Sequence, residues 1–254
     1  MIKLELHPKP DKLTEQEQKR LTDKYKKDGS SVWNKEYIKK AVFNLSNGKC
    51  CFSEISLNTN STYLEIEHFY PKNLYPGKVM EWGNLLPSSK KCNGTKNNHN
   101  TLKEPIVNPF KDNPKDHLFL RNGRFYDKTK IGKTTINIVA LNDRRHFVDN
   151  RLDHIMDITE IIDDFFQDHI ETNNFDKYTN DIKVKHLNKL KGVFTAGRRK
   201  EQYAATAATA IIQNLYYKRI KDFLVESGFW DDELQELEEE LDFCYIGEEE
   251  KFSF

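Results

Sequence analysis

The chain has 254 residues and carries 40 Lys and Arg against 40 Asp and Glu, so its formal net charge is zero. Hydrophobic residues at 37% and aromatic residues at 12% supply a folded core and exclude a disordered chain. No apolar run approaches the roughly 18 residues of a membrane span, and MIKLELHPKP has no apolar stretch of signal type. A cytoplasmic protein without a membrane partner is expected.

From the N-terminus, residues 14–27 read as a polar helix opened by Thr14 and Glu17 in capping-box spacing and stopped at Asp28-Gly29. Tyr37, Ile38, Ala41, Val42 and Leu45 recur at three and four and predict a second helix from Asn34 to Leu45, before a turn at Asn47-Gly48. Residues 63–69 alternate as a strand, Leu64, Ile66 and His68 on one side and Glu65 and Glu67 on the other, ended by Pro71. Asn73 to Gly83 is a loop or second strand, and a short helix follows Ser89.

Pro105, Pro109 and Pro114 mark a wrapping loop, and Asn122-Gly123 a hairpin turn. Thr134 to Leu141 reads as a further strand. Asp143 to Thr172 predicts a long amphipathic helix or a broken pair. Helices are also expected over Asp181 to Ala196, interrupted near Gly192 or Gly197, and over Arg199 to Val225 as one strong element. In the acidic stretch from Trp230 to Glu250, Leu234, Leu237 and Leu241 recur at helical spacing, as a face docked on a partner or on the same chain would.

Chemistry concentrates in residues 63–100. Glu67 abuts His68, Pro71 follows, then come Asn84-Leu85 and Cys92-Asn93 with Lys96. In this order and spacing the three blocks resemble the HNH, or ββα-metal, nuclease core. Lys49-Cys50, Pro71-Lys72, Asn108-Pro109-Phe110 and Leu141-Asn142 extend the resemblance to the PtuB-like HNH proteins of bacterial Septu and retron defence systems. The implied fold is α+β: a central ββα-metal module over residues 46–142, a helical lead-in over 1–45, and a mainly helical region over 143–254 for partner docking. The first 100 residues hold 17 basic against 11 acidic side chains, a sign that suits a polyanion.

The resemblance implies roles residue by residue. His68 is the general base, and Asn84 bonds across the loop to fix its ring. Glu67 and Asn93 are oxygen ligands for Mg²⁺ or Mn²⁺, with His99 in reserve, and Lys90, Lys91 and Lys96 contact phosphates. Glutamate stands where aspartate is usual before the histidine. Many members also hold a structural zinc on two Cys-x-x-Cys pairs. Here those pairs read Cys50 with Ser53 and Ser89 with Cys92, so half the thiolates are gone, and a knuckle held by packing without structural zinc is expected, unless Cys51 or His99 substitutes.

His117, His146, His154, His169 and His186 lack ligand spacing and read as structural. The resemblance implies as partners a nucleic acid and an ABC- or SMC-like ATPase of PtuA type; the chain has no phosphate-binding G-x-x-x-x-G-K-[ST] sequence of its own, so any ATP gating is expected in trans. A stand-alone restriction- or toxin-type nuclease and an inactive nucleic-acid-binding or scaffold module remain open alternatives.

Overall fold

The computed structural model describes residues 1–59 and 62–248. They form a mostly helical α+β protein of two compact units. The first comprises Met1–Phe119 with Phe125–Phe147, and the second Leu120–Arg124 with the chain from Val148 onward.

The first unit opens with α1 (Glu15–Asp28) and α2 (Glu36–Asn44). The Thr14 side chain accepts from the Glu17 amide as the capping pattern predicts, and Gly29 closes α1 at φ 69°, returning its N–H to the Tyr25 carbonyl. Glu17 turns its carboxylate to Arg20 at 2.7 Å. Asn47 and Gly48 take positive φ at the predicted turn.

Short strands follow. β1 (Asn58–Thr59) pairs with β2 (Thr62–Tyr63), and β3 (Glu65–His68) pairs antiparallel with β4 (Leu85–Ser88). The chain between β3 and β4 is a loop with two 3₁₀ turns, Pro76–Lys78 and Trp82–Asn84. α3 (Lys90–Lys96) begins directly after Ser89, whose hydroxyl accepts from the Cys92 amide. Leu21, Ile38, Val42, Ile66, Val79 and Leu85 pack in one core, so α1 and α2 brace the β3–β4 pair.

β5 (Leu118–Arg121) and β6 (Arg124–Asp127) make the expected hairpin, with Asn122 at φ 50° and Gly123 at φ 69° as a type I′ turn requires. Asn142 clamps β6, accepting from the Phe125 amide and donating to its carbonyl, both at 2.8 Å.

The strand predicted over Thr134–Leu141 is instead part of helix α4 (Lys130–Ile138). The Thr129 hydroxyl accepts from the Gly132 amide at its start, and the Thr135 hydroxyl donates to the Ile131 carbonyl while accepting from the Val107 amide. Buried partners therefore override the strand preference of a β-branched run.

A π-helical turn (Arg144–Val148) ends the first unit's chain and leads into α5 (Asp149–Phe165) of the second, where a further π-helical turn (Phe166–Glu171) follows, so the expected amphipathic stretch is broken. α6 (Asn180–Thr195) runs through Gly192 uninterrupted. The single helix expected over 199–225 is two, α7 (Ala204–Ile212) and α8 (Tyr217–Glu226). Asn214 causes the break: its side-chain oxygen takes the Tyr216 N–H at 2.7 Å, and its amide donates to Asp163.

α9 (Asp232–Cys244) starts at an Asp231 cap. Its Leu234, Leu237 and Leu241 are fully buried, and α9 lies against α7 and α6. Of the two expected alternatives, a face docked on a partner or on the same chain, the leucine row takes the second and is buried within its own unit. Glu249 and Glu250 of the acidic stretch lie outside the described residues. Among those described, no helix is long and apolar enough to cross a membrane.

Candidate active site

Two periodicities meet at the centre of the first unit. On a strand, residues two apart share a face, and on a helix residues three apart do. Glu65 and Glu67 of β3 accordingly face Asn93 and Lys96 of α3. The Asn93 amide donates to Glu65 Oε2 at 2.6 Å, and Lys96 Nζ donates to Glu67 Oε1 at 2.6 Å and to the His68 carbonyl at 2.9 Å. Glu67 and Lys96 are both almost fully buried. Burial pushes the Glu67 carboxyl up to about 7, against the pull of Lys96 and Lys72.

His68, on the other face of β3, is set by groups that periodicity did not reveal. Its ring meets Trp33 edge-on, with centroids 4.6 Å apart, and its Nε2 lies 3.0 Å from the Val79 carbonyl. A carbonyl only accepts, so Nε2 carries the proton and Nδ1 keeps its lone pair. Burial, reinforced by Lys72, lowers the imidazole to about 3, so it is neutral at physiological pH.

The Asn84 side chain bonds across the loop to groups other than the His68 ring. It accepts from the Tyr70 amide at 2.7 Å and donates to the carbonyls of Lys78, at 2.8 Å, and Tyr70. It thereby fixes the residue next to Val79, and so acts on the His68 ring at one remove.

A cleft of about 240 Å³ exposes this arrangement. Glu67 and His68 line it with Lys72, Asn73, Asn93, Gly94, Asn97 and Asn98. Lys96 sits behind the Glu67 carboxylate with its ammonium directed inward, and not on a phosphate-facing surface. Lys90 is exposed, and Lys91 pairs with Asp143 at 2.7 Å. His99 is turned to Glu104, its Nε2 being 2.8 Å from that residue's carbonyl, and does not line the cleft.

Cys50, Ser53, Ser89 and Cys92 are all buried. They converge with Cys51 beside β4, where the Cys50 sulfur lies 3.9 Å from the Ser88 hydroxyl and burial pushes the Cys51 and Cys92 thiols well above the ordinary range. Among the described residues, no cluster of three or more His, Cys, Asp and Glu side chains is arranged to hold a metal ion.

Sequence reasoning missed Val79, Trp33 and Glu65. Only Glu65 left a usable signal, since it precedes Glu67 by the two residues that place both on one strand face.

The fold and site together define an α+β protein whose cleft couples a neutral imidazole to a buried carboxylate and a set of side-chain amides. No family profile matches the chain, and no solved structure matches it. The chain is 35% identical over 237 residues to the Septu protein PtuB of Bacillus thuringiensis, covering 93% of this chain and 92% of that one. It is 31% identical over 160 residues to the Septu protein PtuB of Bacillus mycoides strain KBAB4, covering 50% and 54% respectively. The chain belongs to the PtuB family of Septu proteins.

Proposed function

We propose that this protein is a metal-dependent HNH endonuclease that hydrolyses phosphodiester bonds, with β3, β4 and α3 as its ββα-metal module. We further propose that it is the effector subunit of a bacterial antiphage complex with an ABC- or SMC-like ATPase. The observation that carries the reading is the Val79 carbonyl on His68 Nε2, which leaves Nδ1 as the free base in a cleft shared with Glu67 and Asn93.

The chain's own groups divide the work as follows. His68 Nδ1 accepts a proton from the attacking water, and the Val79 carbonyl steadies the imidazolium that results. The Asn84 bridge keeps that carbonyl in place. Lys96 offsets the Glu67 charge and, through the His68 carbonyl, ties the end of β3 to α3. Lys72 and Lys90 supply positive charge for phosphate oxygens.

The donor set fits a hard divalent cation. Glu67 offers a carboxylate, and Asn93, whose Nδ2 is taken by Glu65, keeps its amide oxygen available. One carboxylate with neutral oxygens, water and substrate phosphate is a usual environment for Mg²⁺. Glu67 and Asn93 would hold Mg²⁺ or Mn²⁺, which when bound would supply Lewis-acid relief of charge at the phosphate and at the leaving oxygen.

Family membership supports the defence setting. The second unit is the proposed docking region for the ATPase, through surfaces other than the buried α9 leucines. The scarcity of acidic ligands favours a second reading, a nucleic-acid-binding module without catalysis. Incubating DNA and tRNA with the purified chain, with and without Mg²⁺ and an ABC- or SMC-like ATPase of the proposed kind, separates the two. Metal-dependent cleavage supports the nuclease, and binding without cleavage under every condition supports the module.

A further inference from the structure

The first unit has a second concavity, of about 400 Å³, bordered by Tyr63, Lys90, Lys91, Gly94 and His146. Gly94 also lines the cleft that holds Glu67 and His68, so both hollows open on the same point of α3. A Cβ built on Gly94 meets nothing within 4 Å, which makes this point an open backbone saddle. We propose that a single nucleic-acid strand crosses the Gly94 saddle, its reactive phosphate in the Glu67–His68 cleft and the base of a neighbouring nucleotide stacked on Tyr63. This rests on the nuclease reading and adds the form of substrate.

Three observations support the path. Tyr63 is 54% exposed, so a flat aromatic face is open to an incoming base, and such stacking tolerates any base. Lys90 is exposed and makes no ion pair among the described residues, leaving its charge for a phosphate. Asp143, the nearby carboxylate that would repel a strand, is already held by Lys91 at 2.7 Å and by His146. Among the described residues, Glu67 is the one carboxylate lining either hollow. A base reaches Tyr63 only when it is unstacked from its neighbours, which selects a single strand over a duplex.

The test is fluorescence anisotropy with full-length protein, free of divalent cations, on labelled oligodeoxyuridylate, oligouridylate and a duplex. Tyr63→Ala is expected to weaken single-strand binding about tenfold and Tyr63→Phe to restore it. Gly94→Gln, which suits a helix better than glycine, is expected to weaken binding at unchanged melting temperature, because its side chain rises on the saddle. The tighter of the two single strands identifies the sugar. Wild-type binding by Tyr63→Ala, preference for the duplex, or no binding of any strand by the wild type overturns the proposal. His68→Ala separates it from the nuclease reading: loss of cleavage with retained binding upholds both, whereas undiminished cleavage removes His68 as the base and leaves the Tyr63 result to judge the strand path.

Discussion

Lys96 Nζ lies 2.6 Å from Glu67 Oε1, and neither side chain is more than 3% exposed. Two opposite charges sealed from water are costly to separate, because removing one leaves the other buried and uncompensated. Lys96→Ala should therefore lower stability by about 3–5 kcal/mol in urea denaturation. The double substitution Lys96→Met with Glu67→Gln should recover much of that loss while abolishing activity. Equal destabilisation in the single and double variants would show that the pair is not what holds β3 to α3.

The pH dependence of stability should carry two opposed contributions. Unfolded histidine titrates near about 6.5 and unfolded glutamate near about 4.3. His68 is lowered to about 3, so its contribution is full above the unfolded value and is lost as pH falls from there. Glu67 is raised to about 7, so its contribution is full below the unfolded value and is lost as pH rises through about 7. Between the two unfolded values they oppose each other. Glu67→Gln should make stability rise with pH across that window, and His68→Gln should make it fall, each by at most about 1.4 kcal/mol per pH unit. Parallel curves for the two variants in urea titrations would contradict the assignment.

Asn84 makes three hydrogen bonds across the loop between β3 and β4 and is 1% exposed. Asn84→Ala should cost about 2–4 kcal/mol through buried groups left unpaired. It should also reduce cleavage more than stability requires, because the Val79 carbonyl is no longer fixed. Asn84→Asp keeps the acceptor for Tyr70 but loses the donor to Lys78, and should fall between wild type and alanine. Activity tracking folded fraction alone in all three proteins would remove Asn84 as a positioning residue.

Gly132 sits where a Cβ would lie 2.0 Å from the His117 carbonyl oxygen. Backbone cannot yield as a flexible side chain can, so Gly132→Ala should destabilise by about 2–4 kcal/mol although alanine is the better helix former. Gly94→Ala, in open space on α3, should be neutral or stabilising by up to about 1 kcal/mol. Thermal melts of the two variants check this contrast, and a reversed order would contradict the packing of α4.

Local chemistry was the legible part of the fold. Thr14 and Gly29 bracket α1, Asn122-Gly123 turns the hairpin and Ser89 opens α3, each through bonds to residues a few positions away. Where long-range contacts decide, the pattern misled. Thr135 is helical because the Val107 amide uses its hydroxyl, and Asn214, just past α7, is held by its side-chain amide on Asp163, 51 residues away.

The site divides in the same way. Glu67, His68, Asn84 and Asn93 were named from an ordered motif, and three of them line or flank one cleft while Asn84 braces its loop. Val79 acts through its backbone carbonyl, which every residue has, so no side-chain pattern marks it. The inward turn of Lys96 was likewise hidden, since a lysine reads as surface until its partner is placed.

The most direct test of the central claim is the rate of nucleic-acid cleavage by His68→Ala against wild type, at saturating Mg²⁺ and with the proposed ATPase partner present. The account predicts loss of at least about two orders of magnitude, the usual contribution of a general base, in protein shown by circular dichroism to be folded at the assay temperature and with unchanged strand affinity. A His68→Ala protein that cleaves at the wild-type rate would contradict it.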